Sequence, residues 1–440
     1  MATEETEARG KASAENPEEL SDLRRGDPAQ SAAGMLAVVH SLKHALRESS
    51  MGRAAASWFG LNQKDGFDCP SCAWPDPDGH RTKTEFCENG AKAVASEAAN
   101  KKRCDADFFR KWSVEELAAK SDHWHERQGR LTEPVVLRKG ATHYEPISWD
   151  DAFRLVGDEL KALDSPNEAI FYTSGRTVNE AAFLYQLFAR LFGTNNLPDC
   201  SNMCHESSGA ALKPTIGVGK GTVALDDFEK AAAIFIFGQN PGTNHPRMLS
   251  SLQAAKRNGC LIVAINPLKE AGLLAFAHPQ EVKGLLGIAT SLATQYLQVR
   301  INGDTALLKG MQKAILAEER SRPGKVLDHE FIEKRTTGFE EWNAALSEIS
   351  WEDIVEQSGL GREEIEKAAR AYWEADSVIS CWAMGLTQHK TAVACIQEIV
   401  NLHLLRGNVG KPGAGLCPVR GHSNVQGDRT MGIATSMPAS

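Results

Sequence analysis

The run Ala231-Ala232-Ala233-Ile234-Phe235-Ile236-Phe237-Gly238 decides the fold. An unbroken apolar stretch of strand length, ended by a glycine, reads as a strand buried on both faces rather than one that alternates between core and water. A helical pattern follows over 247–257, and a second such run, CLIVAIN, occupies 260–266. Working outward, SVISCWA at 377–383 is a third strand. Residues 391–405 form a helix that packs through Val393, Ile396, Ile399, Val400 and Leu404. Upstream, Ser148 caps a helix through Leu163, AIFYTS at 169–174 reads as a strand, and 179–191 as a helix. Further helices are expected over 285–299, 305–316 and 362–374. Strands alternating with helices define an α/β protein, with parallel sheets flanked by helices. At 440 residues the chain exceeds one ordinary core and is multidomain.

The ends differ in character. Residues 1–33 are polar, lack aromatics and read as a disordered leader, and 35–47 follows as an amphipathic helix. Residues 60–104 concentrate Cys, Pro, Gly and Asp, a composition that suits a small metal-organised region better than an apolar core. The net charge of −8 argues against a nucleic-acid partner. No run approaches the ~20 apolar residues of a membrane span. Residues 1–30 carry no signal-peptide core, and Arg24-Arg25 precedes no hydrophobic stretch, so a cytoplasmic location without membrane insertion is expected. Ten cysteines in a reducing compartment are not a disulfide framework. Cys260, Cys381 and Cys395, set in apolar runs, read as buried inert thiols.

Chemistry concentrates elsewhere. In Ser201-Asn202-Met203-Cys204-His205-Glu206-Ser207-Ser208-Gly209 a thiolate able to ligate a redox metal, Cys204, precedes an imidazole able to take a proton, His205. Phe237-Gly238-Gln239-Asn240-Pro241, Asn244-His245-Pro246 and Ile265-Asn266-Pro267 lie just past neighbouring strands, where open α/β sheets bind ligands. Gly238 admits a close phosphate, while Asn240, Asn244 and Asn266 offer neutral donors and acceptors. Gly217-Val218-Gly219-Lys220-Gly221 lacks both nucleotide-fingerprint spacings and reads as a tight loop beside a cofactor. Arg420 can clamp a small carboxylate through its planar fork. Cys69-Pro70-Ser71-Cys72, with Cys87 downstream, can hold one metal unit.

These segments, with Met384-Gly385-Leu386-Thr387-Gln388-His389 and Arg420-Gly421-His422-Ser423-Asn424-Val425-Gln426-Gly427, resemble in order the molybdopterin oxidoreductases, in the branch of the formate dehydrogenase catalytic subunits. The resemblance runs from about Cys69 to the end. It implies a bis-molybdopterin guanine dinucleotide carrying molybdenum or tungsten, and a [4Fe–4S] cluster. It implies Cys204 as the metal's protein ligand, His205 as proton acceptor and Arg420 as substrate clamp. Gly238, Asn240, Pro241, His245, Asn266, Gly385, Gln388, His389 and Gly421 would line the cofactor, and Cys69, Cys72 and Cys87 would hold the cluster. The fourth cluster ligand is Cys104, His80 or none of the chain's residues, and zinc is the alternative metal there. Formate is the default substrate, with an electron-acceptor protein as partner. This sequence departs from the pattern in carrying His422 where that branch has Gln, and Asn89, with Lys92 nearby, where it has a bridging Lys.

The expected organisation is a leader and helix over 1–59, an iron–sulfur or metal region over 60–130, and a first α/β part over 131–199. A dinucleotide-binding α/β domain follows over 200–420, and 421–440 returns to the first α/β part. Family members of this type are longer and end in a further domain. The alternatives to an enzyme are therefore a truncated, non-catalytic α/β cofactor-binding module or a zinc-stabilised interaction protein.

Overall fold

A computed structural model describes residues 26–79, 81–97 and 99–435. The expectations for residues 1–25 and for His80 lie outside the described residues. The chain forms two compact units, one from residues 26–29, 40–60 and 91–169, the other from 30–39, 61–90 and 170–435. The amphipathic helix read over 35–47 is present as Gly34–Glu48 and contributes to both.

Among the described residues the first unit packs around two small cores. Ala45, Ala54 and Ala95 pack with Trp58. Cys104, Phe109 and Leu117 pack with Phe108, Trp112, Trp124, Val135 and Tyr144, where Phe109 meets Tyr144 edge-on at 5.5 Å. The helix Trp149–Lys161 carries the expected cap, with Ser148 accepting from the Asp151 amide.

The second unit is built on a five-stranded sheet: β1 (Ala233–Phe237), β2 (Leu261–Ile265), β3 (Gln295–Leu297), β4 (Val378–Trp382) and β5 (Gly415–Pro418). All pairings are parallel, in the order β3-β2-β1-β4-β5. Successive side chains point to opposite faces, and both faces are covered. Phe235, Phe237, Val263, Ile265, Val378 and Trp382 join one core with helices α1 (Glu206–Ile216), α2 (Asp304–Ser321), α3 (Arg362–Trp373) and α4 (Ala392–Leu404). Ile234, Ile236, Ile262, Ala264, Ile379 and Cys381 join the other, against Met248, Leu249 and Leu252. Double coverage is why these strands read as continuous apolar runs. Cys260, Cys381 and Cys395 are buried, as expected.

Two elements differ from expectation. Residues 169–174 are extended but form only a bridge, Thr173 to Asp199, with the Phe171 amide donating to Asn196 O. The partner segment includes Pro198, which has no amide to continue a ladder. Residues 285–299 are not a helix. They contain two short strands, Thr290–Ser291 and β3, the latter completing the sheet edge beside β2. Its apolar residues fit both periods, and pairing with the sheet outweighs local helix preference. Among the described residues no helix is long and apolar enough to cross a membrane.

Candidate active site

The sheet order reverses between β1 and β4, and in such sheets ligands bind beyond the carboxyl ends of the strands at that point. Phe237 and Trp382 are register partners there, so the residues that follow, Gly238 and Gly385, meet directly. The Gly385 amide donates to Gly238 O at 3.0 Å. A Cβ on Gly385 would lie 2.5 Å from Gly238 Cα, and Gly238 itself adopts φ +52°. Only a glycine pair lets the two strand ends cross so closely.

Above this crossing lies a cavity of about 820 Å³. Its wall includes Gly238, Asn240, His245, Asn266, Gly385, Gln388, Gly421 and Cys204, together with Cys72. Pro241 and His389 lie outside that wall: Pro241 is buried at the start of the turn Pro241–Asn244. Asn240 caps this turn through the Thr243 amide, and Asn266 donates to Leu268 O at 2.8 Å. Gln388 donates to Met203 O.

A second cavity, about 410 Å³, opens beside Arg420 and is lined also by Ser201, His205, Glu206, Lys220 and Arg429. Cys204 thus lines the larger cavity, while its neighbour His205 and the adjacent Arg420 line the smaller. Two buried histidines fix this junction. His205 Nε2–H donates to Val419 O at 2.9 Å, and His245 Nε2–H donates to Arg420 O at 2.7 Å. The next amide, Gly421 N–H, then donates to the Cys204 sulfur.

His205 is only 1% exposed, and its second nitrogen accepts from Ser208 Oγ–H at 2.8 Å. Ser208 in turn accepts from Trp382 Nε1–H at 2.9 Å. Burial, reinforced by the Arg420 charge, lowers the His205 pKa to about 3, so the ring is neutral with both nitrogens engaged. Burial pushes the Cys204 thiol up, opposed by the Gly421 amide and Arg420. The Arg420 guanidinium is half-buried, burial works against its charge, and no described residue gives it a hydrogen bond or ion pair.

The three loop cysteines come together. A Cβ on Gly90 would lie 2.9 Å from Cys69 Sγ and 4.0 Å from Cys87 Sγ. Each of these two thiols also feels the charge of Cys72. Burial raises all three, Cys69 to about 12. Arg247 pins their loop, donating to Asp76 at 2.7 Å and to Glu85 at 2.8 Å. Among the described residues no three His, Cys, Asp or Glu side chains gather as ligands of a single ion. Cys104 belongs to the first unit. Asn89, which stands where the branch has a lysine, donates to Thr243 O at 2.6 Å and lines the larger cavity.

Sequence reasoning missed several site groups. Cys200 lies one helical turn before Cys204 and also lines the larger cavity, its sulfur 3.1 Å from His422 Nδ1. The spacing of four was the available signal. Gln239, inside the Phe237-Gly238-Gln239-Asn240-Pro241 motif, carries no separate signal in the sequence. It is buried in the cavity wall with its Nε2 turned to His245 and Met248 and its Oε1 without a partner. Asp199, Ser201 and Asp428 gave no signal.

The model of the molybdopterin oxidoreductase family matches residues 130–436. The chain belongs to that family. An uncharacterised oxidoreductase of Mycobacterium tuberculosis is 53% identical over 92% of this chain and 52% of its own length. Protein YdeP of Escherichia coli is 49% identical over 92% and 54%. Formate dehydrogenase H of Escherichia coli is 33% identical over 69% and 40%. The chain therefore spans about half the length of the curated relatives it matches. Acetylene hydratase from Pelobacter acetylenicus has a similar fold, with a TM-score of 0.52 and 22% identity over 63% of this chain and 35% of that one.

The donor set suits the pterin cofactor that the family implies. The larger cavity offers an orphaned buried amide oxygen, Gln239 Oε1, and a glycine-floored approach. A Cβ on Gly421 would stand 3.9 Å from Cys204 Sγ, in space that glycine leaves open before the sulfur.

Proposed function

We propose that this chain carries the substrate- and cofactor-facing part of a molybdenum or tungsten oxidoreductase similar to formate dehydrogenase. The observation that carries the reading is the position of Cys204 at the junction of two cavities, one amide-lined and one basic. Cys204 would ligate the metal. The 820 Å³ cavity would hold bis-molybdopterin guanine dinucleotide through Gly238, Gln239, Asn240, Asn266, Gly385, Gln388 and Gly421. Cys69, Cys72 and Cys87 would hold a [4Fe–4S] cluster that hands electrons to an acceptor protein. When bound, the metal centre supplies the two-electron redox chemistry, and the protein supplies position and electrostatics.

Arg420 orients a small anionic substrate, formate by default. A half-buried guanidinium that no described residue pairs is open to an anion, and a carboxylate would satisfy two of its donors at once. His205 and His245 hold the carbonyls of Val419 and Arg420, which aims the Gly421 amide at the Cys204 sulfur. That is a positioning role for His205 in place of the proton acceptance expected from sequence. To ligate the metal, Cys204, whose thiol is raised by burial, would give up its proton.

The test is elemental analysis of anaerobically purified protein, wild type against Cys204→Ala. Molybdenum or tungsten together with iron is expected in the wild type. The variant should lose the molybdenum or tungsten and keep the iron. Zinc alone, or no metal, would overturn the reading.

A further inference from the structure

The neutral, doubly bonded His205 leaves the smaller cavity in need of another group to exchange a proton with whatever reacts there. That need rests on reading this cavity as the place of reaction.

Behind its wall stand two carboxyls almost wholly out of water, Asp199 at 1% exposure and Asp428 at 0%. Asp428 Oδ1 accepts the Arg429 amide at 2.7 Å, while Asp428 Oδ2 is buried with no other partner. Asp199 lies within hydrogen-bonding reach of Asp428 and also accepts from Arg429 Nε at 3.1 Å. Ser201 Oγ–H donates to the Asp199 carboxylate at 2.6 Å and accepts from Arg429 Nε at 2.7 Å. Ser201 itself lines the cavity. A hydroxyl has two acceptor lone pairs, so one remains to face the cavity.

Two adjacent buried carboxylates cannot both be ionised cheaply, and an orphaned buried oxygen is satisfied if it carries a proton. We infer that Asp199 and Asp428 share one proton and, through Ser201, form the proton relay of the cavity beside Cys204. In the transfer, the Ser201 hydroxyl accepts a proton from the cavity as its own proton passes to the proton-free Asp199–Asp428 pair, which thereby becomes the singly protonated pair. One O–H bond forms at Ser201 and one breaks, and no electrons move. The reverse sequence returns the proton. Asp199 and Asp428 are thus positioning residues that act through Ser201.

The charged surroundings suit such a pair. Arg429 binds Asp199 at 3.0 Å and Glu206 at 3.2 Å. Arg420, Cys204 and the Cys200 thiol act on the pair only through space. From the helix Asn179–Phe192, Arg190 is held by Gln186 and the Gly432 carbonyl. Burial and the Asp199 charge raise Asp428 to about 7, where a group can both take and give a proton near neutrality.

The test reads the proton itself. Infrared spectra of the full chain should show a protonated-carboxyl band at neutral pH that titrates with a midpoint near 7 and is absent in Asp428→Asn. Hydrogen–deuterium exchange of that band should slow at least tenfold in Ser201→Ala and recover in Ser201→Thr. In metal-loaded protein that turns over, oxidation should rise with pH through the same midpoint in the wild type and lose that rise in Asp428→Asn. A wild type without the band overturns the shared proton, and exchange indifferent to Ser201→Ala overturns the relay. Failure of the enzymatic reading would show separately, as protein without molybdenum or tungsten, and leaves both infrared measurements able to decide.

Discussion

Ser208→Ala probes the network that fixes the site. The Ser208 hydroxyl donates to His205 Nδ1 and accepts from Trp382 Nε1–H, at 2.8 and 2.9 Å. All three side chains are buried, out of reach of bulk solvent. The substitution removes two hydrogen bonds and strands one donor and one acceptor. A buried group left unsatisfied costs about 1–3 kcal/mol, so the variant should lose roughly 2–6 kcal/mol. The assay is urea unfolding followed by tryptophan fluorescence. A companion variant, Ser208→Ala with Trp382→Phe, removes the indole donor as well. If the loss comes from the stranded indole, the pair should show a coupling energy of about 0.5–3 kcal/mol. Nitrogen NMR of His205 should at the same time report Nδ1 without its hydrogen bond, while the Val419 carbonyl keeps the proton on Nε2. A Ser208→Ala protein destabilised by less than ~1 kcal/mol, with an unchanged His205 Nδ1 shift, would refute the reasoning.

Other expectations follow from the same geometry. Gly385→Ala forces a Cβ to within 2.5 Å of Gly238, so the strand ends must part, and unfolding should come at least about 1–3 kcal/mol sooner in denaturant titrations. Arg420→Lys keeps the charge but loses the fork. Formate turnover, where present, should fall by roughly thirty- to a hundred-and-fifty-fold in kcat/KM, on the order of 2–3 kcal/mol, with metal content unchanged. Cys69→Ser should bleach the visible absorption of an iron–sulfur cluster and remove its paramagnetic signal on reduction. A wild type that is colourless and iron-free when prepared without oxygen would refute that assignment.

How much of this was legible beforehand depended on the range of the forces involved. Burial on both faces of the sheet is written locally, as uninterrupted apolar runs, so AAAIFIFG, CLIVAIN and SVISCWA declared themselves as strands and their alternation with helices declared the α/β class. The motif order likewise disclosed the family. The strand β3 did not declare itself, because its residues satisfy a helical period until the edge of β2 is there to pair with. Nor did the single-bridge pairing of residues 169–174, which depends on Pro198 in a partner segment far along the chain.

The site divides in the same way. Residue chemistry nominated Cys204, His205, Arg420 and the three loop cysteines. Whether an imidazole takes a proton or holds a carbonyl depends on what faces its two nitrogens. For His205 these are Ser208, on the helix that His205 directly precedes, and Val419, more than two hundred residues away. Asp199 and Asp428 are ordinary in sequence and become unusual only when folding removes both from water and sets them side by side. The sequence by itself determined which groups are present and which segments bury apolar surface, because those follow from composition and period. Only the tertiary structure decided the cavity junction, the tether of each histidine and the pairing of the carboxyls, because hydrogen bonding and desolvation act between residues that the chain keeps far apart.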